Sequence, residues 1–210
     1  MTNSAITNDH SGEAKPACQS SAQPQDSKHF KSPKRILLLG IGNILYGDEG
    51  IGVHFINYIA DKYTIVHPEH EFDIVDGGTL AHGLIPMLAT YDDLIVVDTV
   101  NSADGQFGDV YFFDFDHAPP EVDWQGSAHE VEMLQTLIMM EMVGDRPHTF
   151  VLGVIPTVIE PMFMGLTSAI YRSVPTMEKQ LLQHLTSLGF SCTVKQAITI
   201  DTVIPDAQKR

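Results

Sequence analysis

Cysteine is nearly absent from this chain of 210 residues: Cys18 and Cys192 are its only two. So low a count excludes a disulfide-rich scaffold, and the absence of any CxxC excludes a thiolate zinc ribbon. Basic residues are scarce as well, 12 Lys and Arg against 27 Asp and Glu, for a formal charge of −15. Nucleic-acid binding needs a basic face to neutralise phosphates, and docking on an anionic membrane needs one for the same reason, so neither is expected. No run approaches the roughly 18 unbroken apolar residues of a membrane helix. The N-terminus has no apolar core of a secretory signal, which makes a cytoplasmic, reducing location the expectation. Several catalytic motifs are missing too. There is no GxxxxGK[ST] phosphate loop and no GxSxG elbow, and Cys18 lies in a polar tail, so a covalent serine or cysteine hydrolase is not expected. His129-Glu130-Val131-Glu132-Met133 has a methionine where HExxH needs its second histidine. Gly40-Ile41-Gly42 begins like a dinucleotide fingerprint but has Leu45 in place of the third glycine, so no nucleotide cofactor is expected.

What remains is an ordinary globular composition, 43% hydrophobic and 19% charged, enough for one compact core. Residues 1–33 are rich in Ser, Gln, Asn, Lys and Pro and have only Ile6 and Phe30 as large apolar residues. Such a segment buries too little to offset its ordering entropy, and it reads as a disordered tail. Residues 34–200 read as a single domain and 201–210 as a flexible C-terminus. Short solid apolar runs, Ile36–Leu39 and Leu94–Val97, suit strands of a parallel sheet covered on both faces, and Phe72-Asp73-Ile74-Val75 reads as a further short strand. Gly108–Phe115 alternates like an edge strand, and Thr149–Val154 is a further strand. Helical segments are expected from residue 47 or 48 to about Lys62, over 81–89, from Ser127 to about Met142, and from Thr167 to Leu188 ahead of Gly189. Ser191–Ile200 is β-branched and suits a last strand or a surface segment. Alternating strands and helices mean crossover connections and an α/β fold with helices on both sheet faces.

Ligands of such sheets bind beyond the carboxyl ends of the strands, so the polar residues there carry the functional reading. The first strand leads into Asp48-Glu49, the second ends at Asp76 and the third at Asp98. His129 follows Ser127 in a Ser-Ala-His-Glu capping box, which puts it at a helix N-terminus where the dipole favours the neutral, metal-ligating imidazole. Glu49, Asp98 and His129 could meet on one rim, and two carboxylates with one imidazole form a divalent-metal set. Each also has a plainer reading: Glu49 suits a helix start, Asp98 a loop cap, His129 a solvated surface, and spacing alone does not choose. His67-Pro68-Glu69-His70 could grip a metal but lies at the opposite end of the sheet. Met133, Met139, Met140 and Met142 gather on one helix with Leu134, Leu137 and Ile138, as core filling or as an adaptable partner surface.

Together these pieces resemble one family. Leu39-Gly40-Ile41-Gly42-Asn43-Ile44-Leu45-Tyr46-Gly47-Asp48-Glu49-Gly50-Ile51-Gly52-Val53 closely resembles the N-terminal motif of the [NiFe]-hydrogenase maturation endopeptidases. So do Asp76-Gly77-Gly78-Thr79, Leu94–Asp98, Ser127-Ala128-His129, Gly153-Val154-Ile155-Pro156, Glu160-Pro161 and Gly165-Leu166-Thr167, in order, from about Arg35 to Phe190. The resemblance implies a three-layer α/β/α sandwich around a twisted, mostly parallel sheet. It implies an acid-type endopeptidase, a hydrolase whose partner is the precursor of a [NiFe]-hydrogenase large subunit. That activity would remove a short C-terminal extension from the precursor after nickel insertion. The family's metal-contacting glutamate, aspartate and histidine map onto Glu49, Asp98 and His129, and Asp76 matches a family acid with a supporting or catalytic part. On this reading nickel arrives within the substrate, as a recognition token or as a Lewis acid, and Asp98 or Glu49 can serve as general base on water. Two competing classes are a Rossmann-like nucleotide-binding module using Asp76 and the Gly40-Ile41-Gly42 turn, and a nickel chaperone without protease activity.

Overall fold

A computed structural model describes residues 32–123, 128–162 and 165–204, with the backbone alone at 123 and 128–131. The compact unit begins at Pro33, so most of the expected tail lies outside the described residues. Its elements in chain order are β1 (Arg35–Ile41), a 3-10 turn (Gly47–Gly50), α1 (Ile51–Lys62), β2 (Tyr63–Val66) and β3 (Glu71–Gly78). A second 3-10 turn (Ala81–Leu84), α2 (Ile85–Leu88), β4 (Asp93–Thr99), β5 (Asn101–Ser102), β6 (Val110–Asp114) and β7 (Val122–Asp123) follow. The chain continues with α3 (Ala128–Val143), β8 (His148–Val154), α4 (Ser168–Ser187) and β9 (Ser191–Val194).

The main sheet has the order β3-β1-β4-β8-β6. β3, β1, β4 and β8 run parallel, and β6 closes one edge antiparallel to β8. The solid apolar runs sit in its middle: β4 is buried along its whole length and β1 from Ile36 onward. Strands covered on both faces need side chains that are apolar at successive positions, not alternate ones.

Two core layers divide those side chains by strand alternation. Ile36, Leu38, Ile95 and Val97 pack with Ile51, Phe55 and Ile59 of α1 and with Ile170, Val174, Met177, Leu181 and Leu185 of α4. The α4 residues recur at three- and four-residue intervals, the apolar stripe of a surface helix. Leu37, Leu39, Leu94 and Val96 pack on the other face with Leu88 of α2 and with Met133, Leu137 and Met140 of α3. The result is an α/β/α sandwich.

Several sequence expectations change. The helix expected from residue 47 or 48 opens as a 3-10 turn, and the α-helix proper starts at Ile51. The helix expected over 81–89 is a 3-10 turn followed by a single α-turn, with Pro86, which lacks an N–H, in the first turn of α2 where that donor has no helical partner to lose. Ser191–Val194 pairs antiparallel with β2 in a separate ribbon, outside the main sheet. Residues 200–202 form a 3-10 turn, and Ile200 and Ile204 are buried, so packing continues past 200; residues 205–210 lie outside the described residues.

Candidate active site

The carboxyl ends of β3, β1 and β4 carry the three acids that the sequence singles out. In register, Gly40 of β1 lies opposite Asp76 on one side and Val97 on the other. Asp98 is fully buried at the end of β4. Alternation puts it on the face of Leu94 and Val96, the face covered by α3. One carboxylate oxygen of Asp98 accepts a hydrogen bond from the N–H of Thr99, at 2.7 Å.

Glu49 is buried within the 3-10 turn between β1 and α1. The glycines around it explain how that turn closes. Gly42 has φ +142°, and a Cβ there would collide with the carbonyl oxygen of Glu49. A Cβ on Gly52 would collide with the carbonyls of Ile41 and Val97, so α1 starts in direct backbone contact with β1 and β4. Glu49 is thereby brought to the strand ends that also carry Asp98.

Asp76 is placed differently. It is exposed, and its carboxylate accepts from the N–H of Gly78 at 2.9 Å in a local turn. It continues the row of Phe72 and Ile74, on the α1 face of the sheet and away from the Asp98 face. Its electrostatic neighbour is His54 of α1, a residue the sequence reading missed. His54 is buried, and the edge of its ring lies close to Gly50. Burial pushes its pKa down to about 4, against a weak opposing pull from the Asp76 charge, so the imidazole is neutral.

His129 falls on the first turn of α3, on the sheet face toward which Asp98 points; its side chain and the capping residue Ser127 lie outside the described residues. One turn further on, Glu132 accepts the backbone N–H of His82 at 3.2 Å and lies 3.1 Å from its Nδ1. That contact fixes the start of α3 to the turn after β3. Among the described residues no three His, Cys, Asp or Glu side chains gather to hold a metal ion. The donors on offer at the Asp98 rim are carboxylate oxygens, and an imidazole on α3 would complete a set suited to a divalent ion.

The other candidates resolve locally. His67 and His70 stack at 4.1 Å, and the Nδ1 of His67 accepts from the N–H groups of Glu69 and His70, while that of His70 accepts from Lys34. Their Nδ1 atoms serve the backbone. Met133 and Met140 are core, whereas Met139 and Met142 are exposed. Asp48 is the second residue that sequence reasoning undervalued: read only as a strand-end acid, it is fully buried and accepts hydrogen bonds from Thr157, Val158 and Thr167.

A sequence profile of hydrogenase maturation proteases matches residues 53–184. The chain belongs to this family. It is 46% identical over 159 residues to protein HydD of Wolinella succinogenes, covering 75% of this chain and 99% of that one. It is 31% identical over 165 residues to the hydrogenase 2 maturation protease of Escherichia coli, covering 78% and 98%. Among solved structures, the hydrogenase maturating endopeptidase HybD from E. coli superposes with a TM-score of 0.67 at 29% identity, over 77% of this chain and 98% of that one. As a member of the family this chain is a maturation endopeptidase, a hydrolase, and the nucleotide-module and chaperone readings are not favoured. Among its described residues no helix is long and apolar enough to cross a membrane.

Proposed function

We propose that this endopeptidase removes a C-terminal extension from the precursor of a [NiFe]-hydrogenase large subunit, and that it senses nickel already inserted in that substrate. The observation that carries the reading is the burial of Asp98 and Glu49 at neighbouring strand ends, with Asp98 on the face covered by the helix that bears His129. Removing two carboxylates from water carries a desolvation cost, and paired acids at strand ends suit the binding of a cation or the transfer of a proton. Glu49, Asp98 and His129 would contact the substrate-borne nickel as the precursor docks. Asp98 or Glu49 would take the proton from the attacking water, in an acid-type mechanism without a covalent intermediate. Asp76 would support the site from the β3 end, through its contact with the Gly77-Gly78 turn. The enzyme needs no nucleotide, and its partner is the precursor protein itself, met in the cytoplasm.

The test is to incubate the purified chain with nickel-loaded and nickel-free precursor and to weigh the products by mass spectrometry. Loss of a short C-terminal peptide from the loaded form alone is expected. Cleavage of both forms would keep the protease and remove nickel from recognition. No cleavage of a cognate loaded precursor would overturn the reading.

A further inference from the structure

The connection from β8 to α4 passes beside the Glu49 turn, and one buried side chain attaches it there. The carboxylate of Asp48 accepts the backbone N–H of Thr157 at 2.9 Å, of Val158 at 3.1 Å and of Thr167 at 2.7 Å. It also accepts the hydroxyl of Thr167 at 2.9 Å, and the N–H of Asp48 donates back to the carbonyl of Val158 at 3.0 Å. A second tie runs from the N–H of Met162 to the carbonyl of Leu45, at 3.0 Å. The two loops sewn together this way expose large apolar side chains on the same end of the sheet: Leu45, Tyr46, Ile159 and Met162, the last 74% exposed at φ +64°. A non-glycine residue seldom holds that backbone conformation unless its surroundings impose it.

We propose that Asp48 is a positioning residue, a clamp that holds Thr157, Val158 and Thr167 in register with the Glu49 turn so that the substrate-facing rim and the reacting carboxylate move as one unit. The inference rests on the proposed function for the identity of the substrate. Four donors converge on two carboxylate oxygens, which an acceptor-only group satisfies completely. An asparagine would offer one oxygen and turn its own NH2 against backbone N–H groups. Because Glu49 is the next residue in the chain, any shift of Asp48 is passed directly to it. Four of the outward side chains of the tied loops, Leu45, Tyr46, Ile159 and Met162, are apolar and lie beside the exposed Glu160, and this rim meets the precursor's peptide.

The experiment compares the full chain with Asp48→Asn, Thr167→Val and Thr167→Ser, measuring kcat and KM on nickel-loaded precursor and amide hydrogen exchange at 157, 158 and 167. In Asp48→Asn, kcat falls about 100-fold, the scale of a displacement of about 1 Å in a reacting group, and the three amides lose protection. Thr167→Val removes one of the four bonds; its KM rises about fivefold, with kcat within about twofold of wild type, and Thr167→Ser restores KM. A merely structural Asp48 predicts wild-type kcat and KM in any variant still folded at the assay temperature, and that result overturns the clamp. If Asp48→Asn does not fold, the Thr167 pair decides: faster exchange at 167 with unchanged KM also overturns it. A wild-type chain that leaves loaded precursor uncut overturns the substrate reading instead, while its three amides still report whether the clamp exists.

Discussion

The two ends of the sheet both concentrate titratable groups, and they settle them in opposite ways. At the amino end, charge meets charge. Lys34 pairs with Asp93 at 2.7 Å, Arg35 reaches Glu71 and Asp73, and His148 lies 3.3 Å from both Asp93 and Asp114. Many of these side chains are half exposed, so each pair contributes little and is screened by salt. At the carboxyl end Asp48, Glu49 and Asp98 are buried, while Asp76 stays exposed in its local turn. Asp48 accepts hydrogen bonds from N–H groups and a hydroxyl, Asp98 takes the N–H of Thr99, and Glu49 is folded into a glycine-lined turn. An end built from mutually compensating surface charges is inert. At the carboxyl end no lysine or arginine pairs with Asp48 among the described residues, and backbone N–H groups and one hydroxyl hold its carboxylate in an exacting geometry; that is the end where we place the action on substrate.

The sharpest way to break this contrast is at the acids themselves. Asp98→Asn and Glu49→Gln keep shape and remove charge. Each is expected to lower the processing rate by at least about 100-fold while the folded circular dichroism spectrum is retained. Near-normal processing of the precursor by either variant, read by mass spectrometry, would erase the functional difference between the ends. A smaller effect is expected from His54, which links the carboxyl end to the core. Its folded pKa of about 4 lies below the ordinary 6.5, so the unfolded chain takes up a proton first as the pH falls. The stability it protects is complete above about pH 6.5 and drains away down to about pH 4, by about 3 kcal/mol. Urea unfolding at pH 7 and pH 4.5 should show this loss in the wild type and its absence in His54→Leu. The smallest effect belongs to the amino end: Lys34→Ala should cost about 0.5 kcal/mol, less in high salt, and leave processing untouched. A larger loss would mean that this end, too, holds its charges in a low-dielectric setting.

Much of the fold was legible because its central strands are solid apolar runs and the helices α1 and α4 carry clear stripes. β1, β4 and α4 are of this kind. β2, β5 and β7 were not, since strands of two to four residues have no periodicity of their own and are defined by a partner distant in sequence. The segment 81–89 looks continuous in pattern, but Pro86 restarts the helix at Ile85. At the site, Glu49, Asp76 and Asp98 could be found as acids at strand ends. That Asp76 and Asp98 point to opposite faces follows only from knowing where each strand begins. Asp48 bonds to residues 109 to 119 positions away, a relation with no local signature. His54 was hidden for the opposite reason: it sits among the buried positions of an apolar helix, where one polar residue reads as a break in the pattern and not as a neighbour of Asp76.

The small ribbon of β2 and β9 also has a consequence in time. Thr64 and Thr193 are hydrogen-bonded across it and lie 129 residues apart. A ribosome adding about 5–20 residues per second needs on the order of ten seconds to cover that interval. Through that wait β2 has no strand to pair with, and the apolar layer that later receives Phe190 and Cys192 stands open to solvent. Arrival of β9 pairs the ribbon, so β2 finds its partner only after the long stretch of chain between them has been made.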